Sequence, residues 1–425
     1  MKTARHWKAV LGLLPALIGT AACGTGSTAE TGEAVYGRPL AEQFHAATEA
    51  TQQAGTARFV STLTYASAGG EAVHRTNGGQ DYAARTSHAA LVLQVAEGFP
   101  EDAAKYIGEP GKAVQQTLAT AADAVYVRRE DSSWLRYTPA AFNELGASAN
   151  ELAAHTPGEV APYSGTLADL VPRTVPREEP KREADGGRVY RVTALPEVAA
   201  ELLPSAVKSG DNGWGSKPVQ MSVRLDAEGR LSEVSADLGP LLESLHKDRI
   251  LVGVTSLNAS YRLSAFGEPL RSPTPGKDVE DAEKVLALIG TLKGGECASF
   301  TTGLTAKNVV RPVDCRGKHD LRVFAQTSLD RSFPGQVAIK DGTAYAQEQC
   351  GEAYAKAPRN WVRDSSRPGA VHRVVIGVRL PRCGSDEDFV DRRLHLLRGH
   401  FLSRRGGGAA DPGSRARRRQ PSQLP

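Results

Sequence analysis

The feature that most constrains the fold is a strict alternation of apolar and polar residues around residue 225. Met221, Val223 and Leu225 alternate with polar residues, Asp226–Gly229 has turn composition, and Arg230–Ser235 is the returning segment. A period of two indicates strands with one buried face, and a short polar turn between two such runs indicates an antiparallel hairpin. A second hairpin is predicted where Ala124–Val127 and Trp134–Tyr137 flank a polar turn. The chain should therefore build an antiparallel sheet.

The remaining pattern adds strands and a few helices to this sheet. Helical spacing of apolar residues predicts helices at Leu40–Gln53 and Pro139–His155, with an Ala/Leu-rich segment at Glu197–Leu203. Further strands are predicted at Arg58–Tyr65, Ala72–Thr76, Asp81–Ala84, Ala90–Ala96, Val189–Thr193 and Val252–Leu263. This order predicts an α+β domain with a meandering sheet.

The carboxy-terminal third is predicted to form a second, smaller α+β module. Arg271–Gly276 has the composition of a linker, and Val279–Leu292 has the spacing of a short amphipathic helix. Strands are then predicted at Cys297–Phe300, Val309–Val313, Leu321–Gln326 and Val371–Leu380, with a helix at Ala344–Ala357. The arginine-rich sequence that follows predicts a basic disordered tail.

The first 31 residues have the pattern of an exported, lipid-anchored protein. Lys2, Arg5 and Lys8 precede the apolar run Val10–Ala22, which is too short to cross a bilayer and typical of a signal peptide. Small residues before Cys23 resemble a bacterial lipobox, which implies cleavage between Ala22 and Cys23 and acylation of Cys23. Ordinary signal-peptide cleavage beside an incidental cysteine is the alternative. The small polar residues that follow predict a flexible tether.

The other four cysteines are Cys297, Cys315, Cys350 and Cys383, all in the last third of the chain. In an exported protein an even set confined to one region predicts two disulfides. Of the three connectivities, pairing of sequence neighbours, Cys297 with Cys315 and Cys350 with Cys383, is preferred. A zinc site is disfavoured because no two of these cysteines have C-x₂₋₄-C spacing.

Composition and motifs argue against several functional classes. The net charge is only +4 over 425 residues, and much of it comes from the tail, so no nucleic-acid partner is expected. Ser205 and Lys208 fit S-x-x-K but lack the order of the other elements of penicillin-binding proteins, and the glycine pattern after Cys23 lacks a preceding strand. His319, beside Asp320, is interpreted as a structural imidazole near the Cys297–Cys315 staple. We therefore expect no enzyme activity, cofactor or metal site.

The amino-terminal half resembles the LppX/LprG-type lipoproteins of actinobacteria, relatives of the LolA carrier fold. The similar features are the lipobox, the Ala-rich opening helix leading into RFVSTLTY, and the AVYVRREDSSWLRY and VRLDAEGRLSEV hairpins. The resemblance implies a curved antiparallel half-barrel with helices on its concave side and a hydrophobic cavity for acyl chains. Tyr126, Trp134 and Tyr137 are the aromatic residues expected on the sheet, lining such a cavity or packing a solid core according to strand register.

The carboxy-terminal module resembles the actinobacterial septum-formation-related domain. The matching residues are Gly295–Cys297, Val313–Cys315 with His319, Phe333–Gly335 and Cys350. The basic tail departs from that family's pattern and leaves the end of the module open.

These observations predict six segments and one function. The segments are a signal peptide (1–22), a tether (23–39), an LppX/LolA-like domain (40–268), a linker with a short helix (269–291), a septum-formation-related domain (292–384) and a basic tail (385–425). The predicted function is non-enzymatic: an envelope lipoprotein at the extracytoplasmic face of the cell membrane that binds a lipid or lipoglycan. The alternative is an envelope scaffold without a lipid cavity, with envelope or division proteins as partners.

Overall fold

Two antiparallel sheets dominate a computed structural model of the chain. It describes residues 32–208, 213–270, 275–276, 278–304 and 308–325, the backbone of 372–378 and 394–401, and a few residues between 348 and 358. Cys23, Ala22, Cys350 and Cys383 lie outside the described residues. Among the described residues, no helix is long and apolar enough to cross a bilayer.

The first sheet is a curved, open sheet of twelve strands. Its strands in chain order are β1 (Thr56–Ser67), β2 (Gly70–Asp81), β3 (Thr86–Val95), β4 (Ala113–Ala121), β5 (Ala124–Arg128), β6 (Trp134–Tyr137), β7 (Lys181–Arg182), β8 (Arg188–Ala194), β9 (Val219–Leu225), β10 (Leu231–Asp237), β11 (Val254–Ser264) and β12 (Val279–Asp281). The spatial order is β12-β6-β5-β4-β3-β2-β1-β11-β10-β9-β8-β7. All neighbours are antiparallel except β12, which runs parallel to β6.

Helices and 3₁₀ turns cover one face of this sheet. The helices are α1 (Glu33–Tyr36), α2 (Gln43–Gln53), α3 (Glu101–Ile107), α4 (Pro139–Leu145), α5 (Asn150–Ala153), α6 (Pro196–Ala199), α7 (Gly239–Lys247) and α8 (Ala282–Val285). The helix α2 shows why they pack there. Its residues Phe44, Ala47 and Thr51 share one side at helical spacing and are buried, and Phe44 contacts the ring of Tyr190 on β8 edge-on, with centroids 5.1 Å apart.

The covered face is defined by the strand register. Phe59 on β1 is opposite Leu263 on β11 and Gly78 on β2, and all three belong to the covered face. The buried amide of Gln80 on β2 bridges the same face, because its nitrogen donates to the Tyr261 hydroxyl at 2.6 Å and its oxygen accepts from Tyr163 N at 3.1 Å. The alternation predicted from sequence therefore places apolar residues under the helices and polar residues on the opposite face.

The second sheet contains six strands. They are β13 (Ala287–Leu288), β14 (Cys297–Ser299), β15 (Val309–Val313), β16 (Leu321–Val323), β17 (His372–Val378) and β18 (Leu394–Phe401), in the spatial order β13-β15-β14-β16-β18-β17. Cys297 and Cys315 form a disulfide with Cα atoms 5.2 Å apart, which confirms that predicted pair. The Asp320 carboxylate accepts from Ser299 Oγ and Phe300 N, and fixes the chain where β14 ends.

The two sheets share a packed junction that includes residues 279–292. The predicted helix Val279–Leu292 is wrong: this segment forms β12, the one-turn helix α8, β13 and a 3₁₀ turn at Ile289–Thr291. Residues 279–281 pair with β6 and residues 287–288 pair with β15, which a continuous helix would prevent. Glu280 is held between two arginines, 3.2 Å from Arg129 and 2.8 Å from Arg311. The Tyr137 hydroxyl also donates to the Thr302 carbonyl across the junction.

Three other boundaries differ from the prediction. Residues 33–36 form α1, whose Val35 is 1% exposed, so the predicted tether ends before residue 39 because Val35 is buried in the core. The predicted strand at Asp81–Ala84 is wrong: β2 runs through Asp81 and is followed by a turn. The strand β18 lies in the segment predicted as a tail and pairs with β17 and β16. The elements β4, α3 and α7 were not predicted.

Candidate functional site

The covered face has a half-buried strip between two closed ends. Two adjacent rows of side chains across β1, β2 and β3 form it, and we call these residues the central trough: Ser61, Leu63, His74, Thr76, Leu91 and Leu93. Five of the six keep intermediate exposure, and Leu93 is 9% exposed. The rows on either side are buried, as Tyr65 and Ala72 on one side and Phe59 and Ala89 on the other are at most 1% exposed. The helices therefore close the two ends of the face and leave a trough between them.

One wall of the trough is the segment before the 3₁₀ turn at Leu167–Asp169. Hydrogen bonds to the sheet hold this segment: Tyr163 N donates to Gln80 and Thr120 Oγ1 donates to the Pro162 carbonyl at 2.9 Å. The Tyr163 ring stacks between Phe59 and His155, with centroid distances of 4.9 and 4.8 Å. This stack gives the wall a fixed aromatic surface.

The opposite wall is α3, and one end of the trough is open. Tyr106 and Ile107 at the end of α3 are half-buried, and a Cβ atom at Gly108 would lie 2.8 Å from the Leu93 side chain. Beyond Leu93, the next residue in the row is Val114 on β4, which is 47% exposed. At the other end Tyr261 and Ala259 on β11 are buried. Four strand spacings give the trough a length of roughly 19 Å.

Two histidines lie in poorly solvated positions, His74 in the trough and His155 against Tyr163 in its wall. Burial lowers the pKa of His74, and the Glu151 carboxylate on α5 partly opposes this shift. Burial also lowers the pKa of His155, whose Nδ1 lies 3.3 Å from the Ser164 carbonyl oxygen. Both side chains still keep part of their surface accessible. This combination is typical of groups at the bottom of a crevice, and both imidazoles are neutral at pH 7.

A buried phenol lies next to the trough. Tyr65 is 0% exposed and is the next covered-face residue after Leu63 on β1. Its hydroxyl has no hydrogen-bond partner among the described residues, and burial raises its pKa. A buried donor without a partner costs about 1–3 kcal/mol, so this hydroxyl is a favourable contact for the polar end of a ligand.

The register separates the three aromatic residues expected on the sheet. Tyr126 is opposite Arg136, and Val125 is opposite Tyr137. Because neighbouring residues of a strand point to opposite faces, Tyr126 and Trp134 lie on the uncovered face and Tyr137 on the covered face. Tyr137 is also fully buried, stacked 6.5 Å from Phe142. The three residues do not line one surface, and none belongs to the central trough.

The other residues weighed from sequence have local partners. The Ser205 hydroxyl donates to Glu151 at 3.2 Å, whereas the Lys208 ammonium donates to the Glu201 carbonyl at 2.9 Å, so the two groups of the S-x-x-K pattern have different partners. His319 Nδ1 lies 2.9 Å from the Gly317 carbonyl oxygen. Among the described residues no cluster of three or more His, Cys, Asp and Glu side chains is arranged to hold a metal ion.

Comparison with known proteins gives structural likeness only. No protein-family model matches the chain, and no curated protein matches it. The crystal structure of LprF from Mycobacterium bovis is similar at 15% identity and a TM-score of 0.33, covering 56% of this chain and 98% of LprF. The Mycobacterium tuberculosis lipoprotein LppX is similar at 13% identity and a TM-score of 0.29, covering 55% and 97%. The septum-formation-related domain stays a prediction, because none of these matches supports it.

Proposed function

We propose that the protein is a non-enzymatic, lipid-anchored extracytoplasmic protein that holds an acyl-chain ligand in the central trough. The proposal rests on one observation: two rows of side chains in the middle of the covered face remain mostly half-buried between two fully buried rows. A solid core would cover Leu63 and Leu91 as it covers Phe59 and Tyr65. Each CH₂ group of an acyl chain placed there would contribute about 0.8 kcal/mol.

The polar residues of the trough specify how such a ligand would lie. The acyl chain would cover Leu63, Leu91 and Leu93, and enter at Val114. Ser61, Thr76 and the neutral imidazole of His74 would contact a polar head group without a fixed charge. Tyr65 would gain the hydrogen-bond partner that it lacks. Acylated Cys23 would hold the protein at the membrane from which the ligand comes.

Native mass spectrometry of residues 24–425, produced with intact disulfides in a lipid-bearing host, tests this function. We expect an adduct of several hundred daltons that disappears after organic extraction and returns on incubation with phosphatidylglycerol vesicles. A bare mass under gentle conditions, both before and after that incubation, would contradict the proposal and favour the scaffold alternative.

A pair of neighbouring substitutions locates the site. Leu91→Trp fills the trough, whereas Val92→Trp places the same side chain on the opposite face of β3. We expect Leu91→Trp to reduce the adduct at least about tenfold and Val92→Trp to leave it unchanged, since only the first competes with the ligand for volume. An equal loss in both variants would show that the ligand binds elsewhere.

Tyr65→Phe provides a second readout. Removing an unpartnered hydroxyl should leave the free energy of unfolding of the empty protein unchanged or raise it by up to about 1 kcal/mol. The same change should weaken ligand retention, because the proposed hydrogen bond is lost. Thermal denaturation with and without ligand would separate the two effects, and unchanged retention would remove Tyr65 from the site.

A further inference from the structure

The uncovered face of the first sheet carries a shallow, open depression, which the proposed function does not use. It spans β8, β9, β10, β11 and β1 and has a volume of about 580 Å³. That volume lies within the range of about 300–1,000 Å³ found for small-molecule sites. We call it the hydroxyl basin, after the side chains that line it: Thr62, Thr64, Ser222, Ser235, Ser260, Gln220, Asn258, Arg191 and Asp237.

The strand register arranges these residues in two straight rows. One row runs Arg191–Ser222–Ser235–Ser260–Thr62, one residue from each of five adjacent strands. The next row contains Gln220, Asp237, Asn258 and Thr64 in the same strand order. Adjacent strands are roughly 4.8 Å apart, so the first row presents a hydroxyl at each step over roughly 14 Å.

The basin has unused hydrogen-bonding capacity. The hydroxyls of Ser222, Ser235, Ser260, Thr62 and Thr64 and the amide of Gln220 make no side-chain hydrogen bond to another described residue, and Arg191 forms no ion pair with one. Arginines beside the basin differ, because Arg262 pairs with Glu233 at 3.1 Å and Arg224 pairs with Glu183 at 2.7 Å. These donors and acceptors are therefore available to a ligand in the basin.

The chemistry of the lining selects the kind of ligand. One cation and one anion cancel in the basin, and every other polar lining side chain is a neutral donor and acceptor. Met221, Ala236 and Ala259 belong to the covered face by register, and the basin has no aromatic side chain, so it lacks the apolar anchors that dominate protein interfaces. A ligand with many hydroxyl groups and no net charge can exchange hydrogen bonds with these side chains.

We propose that the hydroxyl basin binds a neutral glycan, a few sugar rings long, laid across the strands. Hydroxyls of successive rings bond to Ser222, Ser235, Ser260 and Thr62. Arg191 at the β8 end of this row and Asp237 in the second row bond to further hydroxyls. The acyl trough and the basin are on opposite faces of one sheet, so a ligand in either leaves the other accessible.

Isothermal titration of residues 24–425 against neutral oligosaccharides tests the site. The probes are linear hexasaccharides of mannose, galactose, arabinose and glucose, with polyglutamate as an acidic polypeptide. We expect at least one hexasaccharide to bind with a Kd of about 1 mM or tighter. Absence of binding by all four at about 10 mM would overturn the proposal. Tighter binding of polyglutamate, lost in Arg191→Gln, would replace the glycan with an acidic protein partner.

Paired variants place the glycan in the basin. Ser235→Ala combined with Ser260→Ala removes two adjacent hydroxyls, and we expect the Kd to rise about tenfold. The matched control, Ser264→Ala with Thr117→Ala, removes two hydroxyls from the uncovered face outside the basin and should leave the Kd unchanged. Equal weakening by both pairs would overturn the assignment. Both variants should keep the phosphatidylglycerol adduct, so failure of either site is distinguishable from failure of the other.

Discussion

Two histidines, His74 in the central trough and His155 against its wall, make the stability of the fold depend on pH. His74 and His155 are both neutral in the folded protein because burial lowers their pKa values. In the unfolded chain each histidine has the ordinary value of 6.5. As the pH falls below that value, the unfolded chain binds protons first. The free energy of unfolding contributed by these two residues therefore decreases as the pH falls from about 6.5 towards their lowered pKa values.

A double variant tests whether these histidines lower the stability as the pH falls. His74→Gln combined with His155→Gln should show a smaller loss of Tm between pH 7 and pH 5 than the parent protein. Asp169 titrates with the opposite sign, because burial raises its pKa to about 6 and its contribution to stability decreases as the pH rises towards that value. It is present in both proteins, so the difference between their pH profiles isolates the histidines. Identical profiles would mean that neither imidazole is held neutral by burial.

At the scale of elements, a close approach of two loops holds α3 against the sheet and forms one wall of the trough. A Cβ atom at Gly69, in the turn between β1 and β2, would lie 1.8 Å from the carbonyl oxygen of Gly98, which precedes α3. Gly69→Ala should therefore lower the free energy of unfolding by about 1–3 kcal/mol, since backbone must move to admit the methyl group. Gly213→Ala is the matched control, because nothing lies within 4 Å of its added Cβ. Equal stabilities by chemical denaturation would contradict the predicted clash.

The hairpins were predictable from sequence because their information is local. Alternation in 221–225 defines β9, and the turn residues that follow define β10 as its returning strand. The irregularity between Leu231 and Glu233 shifts the register, and alternation does not predict it. The strand β4 was missed because AVQQTLATA has weak alternation, and its pairing with β3 comes from tertiary contacts. The trough was missed for the same reason. His74 and Leu91 are 17 positions apart in sequence, and only the register of β1, β2 and β3 places them together in the trough.

For the whole molecule, the junction makes the stability of each sheet depend on contacts with the other. Leu286 and Val309 belong to the same hydrophobic core as the first sheet, although they lie after residue 276. A chain ending at residue 276 would lose these contacts, the strand β12, and the Glu280 carboxylate that pairs with Arg129, whose side chain is only 10% exposed. We expect that chain to have a lower Tm than the intact protein and to aggregate, because the largely buried Arg129 loses one of its two carboxylate partners and apolar surface is uncovered.

Calorimetry of both forms provides the check. The intact protein should unfold its two sheets in one transition, and a second form ending at residue 325 should keep most of the Tm because it retains the junction. Two separate transitions in the intact protein, with the first unchanged in the form ending at residue 276, would show that the modules are independent.

The position of α1 limits how far the folded domain can lie from Cys23. The Tyr36 hydroxyl donates to the Asp226 carbonyl, and the Arg188 guanidinium lies 3.9 Å from the Tyr36 ring centroid, so α1 is fastened to the turn between β9 and β10. Eight residues, 24–31, separate Cys23 from Gly32, and fully extended they reach about 28 Å. The turn between β9 and β10 lies at the same edge of the sheet as Arg58 on β1. The trough residues Ser61 and Leu63 are three and five residues further along β1, which adds about 10–17 Å. Under the proposed anchoring, the ligand stays within about 45 Å of the bilayer. The protein can then exchange acyl chains with its own membrane, but it needs a partner to carry them beyond that radius.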